Sequence, residues 1–298
     1  LNINKDLQRF KNRQDAMIDP SSKKDVSAQK HEIRPTQSIE LLKELHILTR
    51  DGKLNQDTRR KLKQVYHLVQ FIEPLLQEVL NRKDHLSIVD HGAGKSYLGF
   101  ILNDLFCKLQ EKPSTIYGIE VREELVKKSQ DLASRLNFSN MQFLHLSAEE
   151  SLDSALLPDE IDVVTALHAC NTATDDAIRF AFAKKAKHVV LVPCCQAELA
   201  AALRKTKAQS LKNELSEMWR HPIHTREFGS HITNVLRCLQ LESHGYDVTV
   251  TELVGWEHSM KNELIIATQK NLPGQKAQER KTKLLAEIGL SSLEERFA

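Results

Sequence analysis

From residue 86 onward the chain switches repeatedly between two hydrophobic periods, and this limits the fold more than any other feature. Leu86-Ser-Ile-Val-Asp90 is a short apolar run, His91–Ser96 is a glycine-containing turn, and Tyr97 to Leu109 carries apolar residues three and four apart. The pattern recurs. Strands are expected at Thr115–Ile119, Met141–His145, Ile161–Leu167 and His188–Val192, with intervening helices clearest at Arg122–Leu136 and Asp175–Ala186. Strands that alternate with helices imply βαβ units and a parallel sheet. The last two strands, Asp247–Val254 and Glu263–Thr268, are joined only by a short polar link, so an antiparallel hairpin is expected to close the sheet.

Upstream, SIELLKELHIL from Ser38 has helical spacing, and Asp51-Gly52 marks a turn. A longer helix follows, with Leu62, Val65, Leu68, Val69, Ile72 and Leu76 on one stripe. Pro74 is expected to end or kink it, since proline lacks the N–H that the helix needs. The predicted organisation is a polar arm over residues 1–37, a helical extension over 38–84, an α/β domain over 85–270 and a weakly helical tail over 271–298.

The turn Asp90-His-Gly-Ala-Gly94 is the most informative local feature. Glycines let the chain turn sharply and leave room for a ligand against bare backbone, and the helix beyond offers free N–H groups. Three ligand classes use such a turn. Gly94-Lys95-Ser96 matches the end of a Walker A loop, but that motif needs a glycine where Val89 stands. The dinucleotide fingerprint needs a third glycine where Tyr97 stands. S-adenosylmethionine has no phosphate and needs neither. It needs a carboxylate and a bare turn beside its amino-acid part, which Asp90, Gly92 and Gly94 supply. It also needs an acid after the second strand for its ribose hydroxyls, and Glu120 stands 30 residues after Asp90. Ser147, Ala148 and Glu149 follow the third strand, where the adenine edge would lie.

These residues, taken in order, resemble a known family. Asp90-His-Gly-Ala-Gly-Lys-Ser-Tyr-Leu-Gly-Phe100, Leu167-His-Ala-Cys-Asn-Thr-Ala-Thr-Asp175, Val192-Pro-Cys-Cys-Gln196 and Glu257-His-Ser-Met-Lys-Asn262 are similar to motifs of bacterial class I S-adenosylmethionine-dependent methyltransferases and their eukaryotic methyltransferase-like relatives. Leu45–Gly52 and Lys61–Gln64 resemble the same group upstream. The resemblance implies a Rossmann-like, seven-stranded α/β sheet with the methyl donor at the carboxyl ends of the first strands. The chain departs from the family pattern at His91, where Phe or Val is commoner, at Asn171, and at Ser259-Met260.

His168, following the fourth strand, is the candidate catalytic base, because imidazole titrates near neutrality; the alternative is a structural histidine that packs against the cofactor or bonds a main-chain carbonyl. Cys170 and Asn171 beside it are candidate acceptor contacts. Cys194 and Cys195 lack C-x₂-C spacing, and neighbours on a strand end point apart, so no metal is expected. The end of the fourth strand lacks the Asn/Asp-Pro-Pro-aromatic pattern of enzymes that methylate exocyclic base nitrogens.

The net charge is only +2, yet residues 1–85 hold 17 Lys/Arg against 12 Asp/Glu. That local excess suggests a polyanionic acceptor, RNA, with Arg59, Arg60 and Lys61 as candidate contacts. The alternatives are a protein or small-molecule acceptor, or a cofactor-binding module without catalysis. Five scattered cysteines, a polar start and no apolar run near the roughly 20 residues of a membrane span lead us to expect a cytoplasmic setting without membrane contact.

Overall fold

The computed structural model describes residues 32–167, 172–193, 197–206, 214–253 and 263–298. The chain divides into two units, Leu1–Gln37 and Ser38–Ala298, and the sheet and its helices belong to the second. Helix α1 (Ile39–Glu44) is N-capped by Ser38, whose side chain accepts from the Leu41 N–H. Helix α2 (Gln56–Leu80) begins at a reciprocal cap: Thr58 N–H donates to Asn55 Oδ1 at 2.9 Å, and Asn55 N–H donates to Thr58 Oγ1 at 2.7 Å. The stripe Leu62, Val65, Leu68, Val69, Ile72 and Leu76 is buried, as its spacing predicts.

Pro74 does not end this helix, which continues six residues beyond it to Leu80. Pro74 and Gln70 both lie on the exposed face. The Gln70 carbonyl, which loses its bond to position 74, is therefore free to turn to water. Ile72 and Leu76 hold the buried stripe on both sides of the proline.

The sheet then builds in the expected alternation. Strand β1 (Leu86–His91) leads to α3 (Tyr97–Leu105), β2 (Ser114–Glu120) to α4 (Glu123–Arg135), and β3 (Met141–His145) to the short α5 (Ala148–Asp153). Strand β4 (Val163–Leu167) leads to α6 (Ala173–Ala183), and β5 (His188–Val192) to α7 (Glu198–Thr206) and the long α8 (Pro222–Ser243). Strands β6 (Tyr246–Glu252) and β7 (Glu263–Gln269) and helix α9 (Gln275–Glu287) complete the order. The seven strands lie in the order β3-β2-β1-β4-β5-β7-β6. The first five are parallel, and β7 runs antiparallel to both β5 and β6, so the closing hairpin is present.

β4 begins two residues later than the periodicity suggests. The Asp162 carboxylate accepts from both the Ser87 N–H and the Ser87 hydroxyl, each at 2.8 Å, so a side chain meets bonding needs that a longer ladder would meet with backbone. Helix α8 does not follow from the periodicity. Its packed face includes buried Thr233, Asn234, Arg237 and Gln240, which blur the apolar period.

The residues after β7 are tied into the body of the fold. Leu285, Ile288, Leu290 and Phe297 pack with Leu199, Leu203, Trp219 and Leu236 in one apolar cluster. Beside it, Asp175 on α6 accepts from Arg237 Nε at 2.7 Å, Arg237 Nη2 at 2.9 Å and Arg296 Nη2 at 2.9 Å. The Asp175 and Arg237 side chains are 3 % and 1 % exposed. Breaking a buried pair by neutralising one partner leaves an uncompensated charge. Asp175→Asn should therefore lower the unfolding free energy by about 3–5 kcal/mol in urea denaturation. Arg296→Met, which removes the more exposed partner and leaves the Asp175–Arg237 pair intact, should cost clearly less.

Candidate functional site

In an open α/β sheet the ligand crevice lies outside the carboxyl ends of the strands, where the strand order reverses. Here that place is between β1 and β4, since β1 pairs with β2 on one side and β4 on the other. The turn after β1 opens there. Gly92 and Gly94 have φ of +66° and +59°, the left-handed region in which a side chain is strained. A Cβ at Gly92 would meet nothing within 4 Å, so this stretch of backbone faces open space. The turn is tied to β2 at two points: Ala93 N–H donates to the Ile119 carbonyl at 2.9 Å, and Gly94 N–H donates to Glu120 Oε2 at 2.7 Å.

A pocket of about 640 Å³ lies over this turn. Asp90, Gly92, Ala93, Gly94 and Lys95 form one side, with Tyr97, Leu98 and Ile101 of α3 behind them. Lys61, Gln64, Val65 and Leu68 of α2, together with Leu45 and His46, form another wall. Arg122, Leu167 and Leu253 complete it. The α2 residues are spaced three, four and seven apart, which puts them on one helix face.

Of the residues singled out from the sequence, Asp90, Gly92, Gly94 and Lys61 line this pocket, and Glu120 bonds to two of its lining residues, Gly94 and Arg122. Ser147, Ala148 and Glu149 are not among the lining residues. Ser147 caps α5, its hydroxyl accepting from Glu150 N–H at 3.2 Å while Glu150 Oε2 accepts from Ser147 N–H at 2.8 Å. Arg59 and Arg60 on α2 are not among the lining residues, and Lys61 pairs with Asp57 at 3.0 Å. His168, Cys170, Asn171, Cys194 and Cys195, and the Glu257–Asn262 motif, lie outside the described residues. Leu45, His46 and Gln64 fall in the upstream segments that resemble the family, though the sequence gives them no individual role, and Arg122 is not singled out as a site residue. The Lys61, Gln64, Val65, Leu68 spacing could have pointed to the helix face, but nothing local marks Arg122.

Two neighbouring ionisable groups are buried in opposite senses. Asp90 is 2 % exposed and accepts from Thr165 Oγ1 and Ser96 Oγ, each at 3.2 Å. Burial outweighs these bonds and pushes its carboxyl up to about 7. His91 is 3 % exposed, packs on Phe180 with ring centroids 5.3 Å apart, and has no hydrogen-bond partner for either ring nitrogen among the described residues. Burial lowers its imidazole to about 4, so it packs as a neutral ring. Glu120 contrasts with both. Burial would raise it, but hydrogen bonds from the Arg122 guanidinium and from the Arg122 and Gly94 N–H groups hold it below the ordinary carboxylate range.

Residues 60–202 match the family model of a methyltransferase domain. The matched segment contains the glycine turn, Glu120 and strands β1 to β5. The sequence matches no curated protein at a significant level. Among solved structures, the chain resembles an rRNA methylase from Streptococcus thermophilus, with 12 % identity, 67 % of this chain and 95 % of that chain covered, and a TM-score of 0.41. It also resembles magnesium protoporphyrin IX methyltransferase from Synechocystis PCC 6803 with bound S-adenosylhomocysteine, with 13 % identity, 78 % and 93 % covered, and a TM-score of 0.44. The domain's seven-stranded mixed sheet with flanking helices is the Rossmann-like methyltransferase fold.

The two buried groups give opposite pH dependences. The folded state raises Asp90, so its contribution to stability is present at low pH and is lost as pH rises from about 4 to about 7. The folded state lowers His91, so its contribution is present above about 6.5 and is lost as pH falls towards about 4. Between pH 5 and 7, Asp90→Asn should make stability rise more with pH than in the wild type, and His91→Phe should make it rise less. Each change in slope should be up to about 1.4 kcal/mol per pH unit, the effect of one proton. Denaturant midpoints across that range read both.

Proposed function

We propose that this chain is an S-adenosylmethionine-dependent methyltransferase that acts on RNA. The observation that carries the cofactor assignment is the pair of left-handed glycines, open above Gly92 and held at Gly94 by Glu120, at the sheet's switch point. The turn suits a ligand without a phosphate: it lacks both the long glycine loop of a Walker A motif and the third glycine of a dinucleotide fingerprint. The residues present fit the cofactor. Gly92 and Gly94 would give its amino-acid part bare backbone, and Glu120 is a carboxylate kept ionised, as an acceptor for two ribose hydroxyls must be. When bound, the cofactor supplies a sulfonium methyl group, an electrophile strong enough that much of the catalysis can be positioning.

The acceptor assignment rests on charge. Lys61, Lys95 and Arg122 line the pocket, Lys61 paired with Asp57 and Arg122 with Glu120, and the lining carboxyl Asp90 is buried, which favours its neutral form. Together with the positive excess of residues 1–85, this favours a phosphate-bearing acceptor. His168, which follows the pocket residue Leu167 in sequence, is the proposed base that frees the acceptor's lone pair.

S-adenosylhomocysteine should raise the melting temperature and Mg·ATP should not, because only a ligand of the folded state stabilises it. Stabilisation by ATP alone would remove the methyltransferase assignment. In calorimetry, Glu120→Ala should weaken S-adenosylhomocysteine by about 1.5–3 kcal/mol, the range for hydrogen bonds to a charged group; unchanged affinity in a folded variant would mean that Glu120 does not hold the ribose.

For the acceptor, Arg59→Ala with Arg60→Ala, and separately Lys61→Ala, should weaken RNA binding while leaving cofactor affinity unchanged. The slope of log affinity against log salt should flatten by roughly 0.7 for each phosphate of a single strand that the variant no longer neutralises. Methyl transfer into protein extract but not into total RNA would point instead to a protein acceptor.

A further inference from the structure

The Glu120 carboxylate is fully occupied before any ligand arrives. An ionised carboxylate offers about four acceptor positions, and four donors fill them. Oε1 accepts from the Arg122 N–H at 3.0 Å and from Arg122 Nε at 2.8 Å. Oε2 accepts from the Gly94 N–H at 2.7 Å and from Arg122 Nη2 at 3.3 Å. Two of these donors are main-chain groups fixed by the glycine turn and by the entry to α4. The other two belong to one guanidinium. A vicinal diol also brings two donors, so it can bond Glu120 only where that guanidinium now sits.

The guanidinium is able to leave. The Arg122 side chain is 58 % exposed while Glu120 is 6 % exposed, so the arginine can move into solvent and the acid cannot. Only the arginine end of the pair is exposed, and the two donors Glu120 would lose on parting are the number a vicinal diol brings. The direction it would move is also limited. Arg122 Nη2 lies 3.8 Å from the ideal Cβ position at Gly94, over the glycine turn, and Arg122 lines the pocket with Lys61 and Lys95. Once parted from Glu120, it adds a cation to a wall that already carries Lys95 and the Asp57-paired Lys61.

We propose that Arg122 stands in for the cofactor's ribose diol in the free protein and, when the diol displaces it, becomes a phosphate-binding residue for the RNA acceptor. The inference rests on the methyltransferase assignment above and extends it to the order of binding. Cofactor occupancy completes the anion-binding wall, so cofactor and acceptor favour each other. By linkage, each must then tighten the other by the same factor.

The test is calorimetry with S-adenosylhomocysteine and a short single-stranded RNA of mixed sequence, each titrated alone and in the presence of the other. In the wild type, each should tighten the other by an equal factor, roughly fivefold, at the low end of allosteric couplings. Arg122→Met should bind S-adenosylhomocysteine roughly two- to fivefold more tightly, because the guanidinium no longer competes with the diol for Glu120, and its coupling to RNA should vanish. Arg122→Lys, which keeps the charge but cannot fork onto both carboxylate oxygens, should gain cofactor affinity and keep part of the coupling.

A weaker S-adenosylhomocysteine complex in Arg122→Met with an unchanged melting temperature would overturn the proposal, because Arg122 would then hold the cofactor. Coupling that survives in Arg122→Met, or no RNA binding by the wild type with S-adenosylhomocysteine present, would overturn it equally. Wild-type protein that fails to bind S-adenosylhomocysteine at all would remove the cofactor assignment itself. Wild-type protein that binds it without any coupling to RNA would remove only the role of Arg122.

Discussion

Strand β1 is buried along its whole length and on both faces, and the rest of the molecule is arranged around that constraint. The strand pairs in parallel with β2 on one edge and with β4 on the other. Each end is closed by an acid. At the start, Asp162 accepts from the Ser87 N–H and hydroxyl and pairs with Lys83 at 2.6 Å. At the finish, Asp90 accepts from Ser96 and Thr165. Helices must then cover both faces, and the crevice can open only where β1 ends and the strand order reverses.

Three ionisable groups near that crevice show how environment divides similar chemistry. Asp90 and Glu120 are both nearly inaccessible carboxyls at strand ends. Asp90 is bonded by two hydroxyls and a backbone group, which do not offset burial, and it is pushed up to about 7. Glu120 is bonded by a guanidinium and two N–H groups, which more than offset burial, and it stays ionised. His91, between them in sequence, is turned into the core beside Phe180 and behaves as an aromatic ring. Phe or Val is the residue the family resemblance leads one to expect there, and the apolar surroundings explain why.

The residues beyond β5 depend on a different interaction. Asp175 belongs to the stretch that resembles the family's fourth-strand motif, which would suggest a place at the ligand. Its carboxylate instead joins α6 to Arg237 on α8 and to Arg296 near the end of the chain. Lys281 donates to the Phe297 carbonyl from a buried position on α9, and Gln240 donates to the Ala298 carbonyl at 2.8 Å. The terminal segment is thereby held by buried polar bonds as well as by the apolar cluster around Trp219.

Local pattern alone determined the parallel core of this protein. Strands β3 and β5 begin and end where the apolar runs do, and α4 is flanked by Arg122 and Leu136, the limits its periodicity suggests. The closing hairpin was legible because its link is too short for a crossover. The left-handed turn after β1 was legible because only glycine adopts that backbone without strain. Other features needed the tertiary structure. Helix α8 buries Asn234, Arg237 and Gln240 against Glu263, Asp175 and Ala298, far away in sequence, so no apolar period announces it. Helix α2 passes through Pro74 because the proline falls on the side facing solvent, which depends on what the helix packs against. Sequence spacing marked Glu120 as an acid after the second strand. That its four acceptor positions are filled by Gly94 and Arg122 depends on a turn from β1 meeting the end of β2, and pairing between strands is decided by the folded sheet as a whole.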